Sequence, residues 1–368
     1  MAKIVPFRGI LYDVSKVSIA GVFAPPYDII TPEYREELYK KSPYNIVRID
    51  FGKEEPGDSE INNKYTRARR YLDEWINNGV LIRSERPSFY AYEMSYKING
   101  EKKCLLGFFG LAKLEELGKG SIYPHECTYS RPKQDRLDLL RSCEANISPI
   151  FSLYKSSDDG ISGILSRTVS TEPYIEAKDA AGALHRLWQI AERNDIEMIQ
   201  KELEDKVIFI ADGHHRYETA FEFQREKAAV KPSPTDMNSS DYVLMFLSNM
   251  LNEGITILPT HRLVKKIPED MDMMLSQYFE IEPVIVDFDI TKKLSDRKHV
   301  FGFFKNSGEF WNLLKYKEGD LWGVHPDVRE IDVIILHELI LGKLLHITDI
   351  EYEMDIQKAV DKVRSGQF

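Results

Sequence analysis

A mixed α/β chain of the α+β type, in two domains, is what this sequence predicts, and three observations predict it. Short β-branched and aromatic runs, such as Phe89–Ile98 and Tyr242–Ser248, alternate with segments whose apolar residues keep a helical period. The 368 residues exceed one small domain and suit two. The last hundred residues show their own mixture of strands and helices, which sets the expected division at 1–265 and 266–368.

In chain order, residues 1–30 read as strand-like and end in Phe23-Ala24-Pro25-Pro26-Tyr27-Asp28. The two prolines fix φ and present Tyr27 and Asp28 from a stiff arm; a rigid surface turn is the plainer account. Thr31-Pro32-Glu33 predicts a capped helix that stops before Ser42-Pro43, and Ile46–Phe51 predicts a short strand. Ile61, Tyr65, Ala68, Leu72, Trp75 and Ile76 predict a second helix, with a stop at Asn77-Asn78-Gly79. Phe89–Ile98, Asn99-Gly100 and Cys104–Ala112 form the clearest hairpin, since Asn-Gly favours a type I′ turn.

Ile150–Tyr154 reads as a strand, and residues 156–206 as mostly helical, best seen at Leu184–Ile196 where Leu184, Leu187, Trp188 and Ala191 share a face. Val207–Ile210 suits a buried strand and Lys231–Ser240 a surface loop. Tyr242–Ser248 and Ile255–Arg262 are expected strands. In the second domain a helix is expected over Ile267–Phe279, with strands over Ile281–Val286, Val300–Lys305 and Phe310–Lys315. The strongly apolar helix expected over Ile331–Leu345 would pack against the first domain or support a homodimer.

The net charge of −10 argues against a general nucleic-acid binder. No apolar run is long enough to span a bilayer, and no signal-peptide core is recognisable, so a cytoplasmic protein without membrane association is expected. Cys104, Cys127 and Cys143 are odd in number and unpaired in spacing, which fits a reducing compartment.

The strongest functional signal is Ile208 to Ala220. An apolar run ends in Asp212-Gly213, then His214, His215 and Arg216 open a helix. Gly213 permits a tight turn, and the free N–H groups of a helix start favour an anion. Arg216 can grip a phosphate or carboxylate with two parallel hydrogen bonds. The plainer account makes His214 a helix cap and pairs His215 with an acid. Companion polar clusters are His125-Glu126-Cys127, and Lys133 with Arg136. The first holds metal-ligand types, but adjacent side chains seldom converge on one ion. The second offsets phosphate charge or forms ordinary surface ion pairs.

Pro25-Pro26-Tyr27-Asp28, His125-Glu126-x-Thr128, Lys133-x-Asp135-Arg136-Leu137, Ser148-Pro149-Ile150-Phe151, Ala211–Ala220 and Leu258-Pro259-Thr260-His261-Arg262 occur in that order. Together they resemble the uncharacterised family known as domain of unknown function 1015. Members of that family usually run on past a point like Phe368, so a further C-terminal segment is expected. Asp212-Gly213-His214-His215-Arg216-Tyr217 alone resembles the phosphate-binding turn of the ParB/sulfiredoxin superfamily, which includes archaeal free-serine kinases. That likeness implies a ParB/sulfiredoxin-like core, a mixed sheet with flanking helices, whose turn holds nucleotide phosphates. Sulfiredoxins carry a cysteine where this chain has His214, so sulfinic-acid chemistry is not expected. No helix-turn-helix follows, so DNA is not an expected partner.

The reading this supports is a nucleotide-dependent phosphotransferase acting on a small hydroxyl-bearing metabolite, with ATP or ADP and Mg²⁺ as cofactors. Asp212, Gly213, His214, His215, Arg216, Lys133 and Arg136 would bind the nucleotide, and Asp212 would also bind the metal or order the turn. Asp28, Glu126 and His125 are the catalytic candidates, a carboxylate being needed to orient or deprotonate the acceptor. Two alternatives use the same residues: a non-catalytic nucleotide or metabolite sensor, and a metal-assisted hydrolase with His125, His214 and His215 as ligands.

Overall fold

The computed structural model describes residues 2–98, 100–124, 130–230, 239–256, 260–285, 290–294, 297–305, 310–317, 332–347 and 349–368, and it is mixed α/β. These fall into two units, Met1–Ile255 and Thr256–Phe368. The N-terminal residues form strands β1 (Ile4–Val5) and β2 (Ile10–Tyr12), a helical turn α1 (Ile19–Val22) and a 3-10 turn, Tyr27–Ile29. Helix α2 (Pro32–Lys41) begins as expected: the Thr31 hydroxyl accepts the Tyr34 N–H at 3.2 Å and Pro32 fills the first turn.

The strand expected over Ile46–Phe51 is instead a single helical turn, α3 (Val47–Asp50). Its cause is Asn45, which is fully buried. Its Oδ1 accepts the Val47 N–H at 3.0 Å and its Nδ2 donates to the Gly21 carbonyl at 2.8 Å. These local bonds outweigh the β preference of the apolar run. Helix α4 (Lys64–Asn77) starts three residues after Ile61, which is exposed. A reciprocal cap sets its start, with Asn63 bonded to the Thr66 N–H and Thr66 bonded back to the Asn63 N–H.

β3 (Leu81–Arg83) pairs with β2, and then β4 (Phe89–Ile98) and β5 (Glu101–Lys113) form the expected hairpin, antiparallel from Ile98↔Glu101 to Tyr90↔Phe109. Gly100 turns it with φ +83°, whereas Asn99 lies outside the described residues. Next come β6 (Ile122–Tyr123), α5 (Ser130–Cys143), β7 (Ile150–Tyr154), α6 (Asp159–Val169) and β8 (Ile175–Lys178). β9 (Leu184–Ile190) occupies the stretch expected to be the best helix between 156 and 206. It pairs with β4 on one side and β8 on the other. Trp188 and Ile190 are buried with exposed Gln189 between them, a two-residue period that the helical spacing of Leu184, Leu187 and Trp188 obscured.

α7 (Arg193–Leu203), β10 (Ile208–Asp212), α8 (His214–Val230) and β11 (Tyr242–Asn249) complete the first unit. Of the expected loop Lys231–Ser240, residues 231–238 lie outside the described residues, and Ser239–Asp241 is a 3-10 turn. Among the described residues the sheet runs β6-β10-β7-β11-β5-β4-β9-β8, with β1 paired to the end of β5. The face carrying Phe108, Val243 and Met245 is buried in a core shared with Ile161 and Ile164 of α6 and Ile199 and Leu203 of α7.

In the second unit β12 (His261–Leu263) is shorter than the expected strand, of which Ile257–Pro259 lie outside the described residues. Only Met271–Ser276 (α9) of Ile267–Phe279 is helical, because Pro268 precedes it and Phe279 begins β13 (Phe279–Ile285). After α10 (Ile290–Leu294), β14 (Val300–Phe304) and β15 (Phe310–Tyr316) join β13 in an antiparallel sheet, order β13-β15-β14. The expected apolar helix is α11 (Asp332–Ile334) running on as a π-helical segment, Ile335–Leu344. Ile335, Leu339 and Ile340 there are buried with Met271, Phe279 and Leu314. β16 (Glu351–Glu353) pairs with β12, and α12 (Ile356–Arg364) follows. Among the described residues no helix is long and apolar enough to cross a membrane.

Candidate functional site

β10 ends at Asp212 and α8 starts at His214, so Gly213 is the whole connection between them. Its φ of +96° is a conformation that a side chain disfavours. The Gly213 carbonyl accepts the Tyr217 N–H at 3.1 Å, closing the first turn, so the capping position belongs to Gly213 and His214 is already helical. Tyr217 is buried and holds the turn to the chain after β5: its hydroxyl donates to the Glu115 carbonyl at 2.9 Å. His214 is buried at 6 % exposure, while His215 is half-buried.

The neighbouring strand supplies the next part. β10 and β7 are antiparallel, with a register shift between Ile210 and Asp212 that sets Asp212 against Phe151. A bulge at this point re-aims the strand end. It brings Ser148-Pro149, just before β7, beside the turn. The Arg216 guanidinium donates to the Pro149 carbonyl through one nitrogen and to the Asp212 carboxylate through another. A Cβ on Gly213 would lie 2.9 Å from Arg216 Nε, so the glycine also makes room for that fork.

Ser148 carries the network into the helices. Its hydroxyl donates to Asp50 at 2.9 Å, and the other Asp50 oxygen accepts Arg136 Nη1 at 3.1 Å. Both partners are buried, Arg136 at 7 % and Asp50 at 8 % exposure. Arg136 Nε also donates to Asp135 at 3.0 Å, while Lys64 and the Tyr65 hydroxyl reach the other Asp135 oxygen at 2.9 and 3.0 Å. The guanidinium carbon of Arg136 lies 4.0 Å from the centre of the Tyr27 ring, a cation–π contact.

The electrostatics follow from this packing. Burial pushes the Tyr27 phenol above its usual pKa; Arg136 and Arg216 oppose the shift, and Asp28 and Asp50 add to it. Tyr27 therefore feels both arginines at once. Burial alone would raise the Asp135 pKa, but the Arg136 charge and the Lys64 hydrogen bond outweigh it and hold the carboxyl below its ordinary value. Burial lowers the Arg136 pKa and the two carboxylates more than restore it, so the guanidinium stays charged.

Four of the six ordered segments noted in the sequence bear on this picture. Tyr27, Arg136, Ser148-Pro149 and Asp212 to Arg216 converge, although they are scattered over nearly two hundred residues. Asp28 sits exposed on the same turn as Tyr27. His125 and Glu126 lie outside the described residues; Lys133 is on α5, but its side chain lies outside them as well. His261-Arg262 belongs to the other unit. Asp50 and Lys64 are participants that sequence reasoning missed, whereas Tyr27 was singled out there without a role. The signal for Asp50 was present: one carboxylate within an apolar run, where a buried acid requires a partner. Among the described residues no three His, Cys, Asp or Glu side chains gather as a metal site.

No curated protein and no solved structure matches the chain. A family model described as "Protein of unknown function (DUF1015)" matches residues 4–334.

Proposed function

Because this chain belongs to the DUF1015 family, whose description assigns no activity, we propose its function from the site: a Mg²⁺-nucleotide-dependent phosphotransferase acting on a small hydroxyl-bearing metabolite. The observation that carries the reading is one linked network at the start of a 17-residue helix: Arg216 joins Asp212 to Pro149 across the glycine turn, and neighbouring Ser148 leads on to Asp50, Arg136 and Tyr27.

Charge balance favours a metal-bound nucleotide over a bare anion. The described site holds three cations, Lys64, Arg136 and Arg216, against four carboxylates, Asp28, Asp50, Asp135 and Asp212. A free triphosphate would add its full charge to a negative surplus, and a bound Mg²⁺ would cancel part of it. Asp212, exposed at the strand end, would share the ion with phosphate oxygens, as Mg²⁺ sites commonly use one or two carboxylates plus the substrate. The first N–H groups of α8 and the Arg216 fork would hold the remaining oxygens. Asp28, exposed beside Tyr27, or Glu126 would take the proton of the acceptor hydroxyl as its oxygen attacks the terminal phosphorus and the nucleotide diphosphate leaves.

The test is a thermal-shift series with ATP, ADP, CTP and pyrophosphate, each with Mg²⁺ and with EDTA. A ligand at about 100 times its Kd stabilises by about 2.7 kcal/mol, a shift of several degrees. Absence of any shift would remove the reading. Given a shift, incubation with ATP or ADP and serine, followed by assay for phosphoserine, separates turnover from the sensor alternative, in which the same site binds without transfer.

A further inference from the structure

A second recess in the first unit, of about 880 Å³, lies on the sheet face opposite the α6–α7 core. Phe109, Leu111, Leu187 and Leu244 form its floor, and Ala220 and Phe223 of α8 form one wall. Its size and apolar lining are those of a small-molecule site, which typically adds a few placed polar groups. Two tyrosines line it, and they differ. The Tyr90 hydroxyl accepts the Gly9 N–H at 2.9 Å and donates to Ser84 at 2.8 Å. The Tyr242 hydroxyl is buried, on a residue only 5 % exposed, and has no hydrogen-bond partner among the described residues. A buried hydroxyl left unmatched costs on the order of 1–3 kcal/mol, so native proteins rarely keep one without a purpose.

The rim is asymmetric in charge. Lys227 is neutralised by Glu144, whereas Arg8 and Arg83 are exposed and have no carboxylate partner among the described residues. Arg8 donates only to the Ser84 carbonyl, at 2.8 Å. An apolar floor, one interior hydroxyl and two unneutralised guanidinium groups at the edge define a complementary molecule.

We propose that this recess binds an amphipathic carboxylate: an apolar chain on the Phe109–Leu244 floor, a polar atom on the chain or a bound water at the Tyr242 hydroxyl, and the carboxylate at Arg83 and Arg8. The recess shares Pro149 with the Arg216 network, but Phe109, Leu244, Tyr242, Arg83 and Arg8 lie outside the turn at Gly213, so the two readings can fail separately.

Titration calorimetry of the full chain with decanoate, and with decylammonium as the opposite-charge control, tests it. Decanoate should bind at one saturable site, with decylammonium at least about tenfold weaker, which is about 1.4 kcal/mol. Arg83→Glu, on an exposed residue whose replacement leaves the core intact, should weaken decanoate by about tenfold or more. Tyr242→Phe, which keeps the ring and removes the unmatched hydroxyl, should weaken it severalfold without lowering the melting temperature of the free protein. No saturable decanoate binding, or binding indifferent to both substitutions and to head-group charge, overturns the proposal and leaves a water-filled recess.

Discussion

Arg136 and Asp50, 86 positions apart in sequence, form a buried ion pair 3.1 Å long whose other valences are also used. Ser148 takes the second Asp50 oxygen, Asp135 takes the second edge of the guanidinium, and the Tyr27 ring covers its face. Tyr27, Asp50, Arg136 and Ser148 come from different parts of the chain, and the pair holds them in register. Its contribution is therefore positional as much as energetic, because the attraction between buried charges is largely offset by their desolvation.

Removing one member alone should be costly. Asp50→Ala leaves a buried guanidinium with half its partners, and a loss of about 3–5 kcal/mol is expected. Arg136→Met together with Asp50→Ala should cost clearly less than the two single losses added. Urea denaturation of the four proteins in the cycle measures this. Strict additivity would mean that the two charges do not interact.

Arg216→Lys is the sharper test of the turn. Lysine keeps the charge but is a point donor without the planar fork, so it can reach the Pro149 carbonyl or the Asp212 carboxylate, not both in the observed geometry. The substitution should lower stability by about 1–2 kcal/mol and reduce Mg²⁺-ATP affinity by at least about tenfold. Calorimetry with Mg²⁺-ATP on both proteins decides; an unchanged affinity would show that the fork is structural only.

These contacts explain what the sequence disclosed and what it hid. The strand–glycine–helix at 208–220 was legible because its signals are local: a β-branched run, one glycine and a helical period. The hairpin at Asn99-Gly100 and the cap at Thr31 were legible for the same reason. Asp50 was hidden because the run around it has strand composition, and the deciding bond comes from buried Asn45, whose environment depends on the Gly21 carbonyl 24 residues away. β9 was hidden because half-buried residues at Leu184 and Leu187 mimic a helical stripe, and only pairing with β4 and β8 selects the strand. The site residues were named from motifs, but that Arg136 lies against the Tyr27 ring is a tertiary fact.

The acid side of the stability profile should report Asp135. Its folded carboxyl titrates below its ordinary value of 3.8, despite burial, because Arg136 and Lys64 favour the charged form. A depressed carboxylate contributes stability that is fully present above the unfolded pKa and is lost as pH falls through the folded one. The wild type should thus lose stability more steeply than Asp135→Asn from about pH 4 downward, while the two run parallel above about pH 5. Urea midpoints collected at half-unit steps check the slope; parallel curves throughout would remove Asp135 from the acid-labile network.

Gly213→Ala separates geometry from side-chain chemistry, because it removes no functional group. At φ +96° an L-residue is strained by about 1–2 kcal/mol, and the new methyl would stand 2.9 Å from Arg216 Nε. Gly100→Ala is the matched control: its φ is +83°, but nothing lies within 4 Å of the added carbon. Both substitutions should therefore lower the melting temperature, Gly213→Ala by the larger amount because of the added contact. Only Gly213→Ala should also abolish the Mg²⁺-ATP shift, since it alone displaces the arginine fork from Pro149 and Asp212. If Gly213→Ala binds Mg²⁺-ATP as well as Gly100→Ala does, the turn is a structural device and the phosphate must be sought elsewhere on the chain.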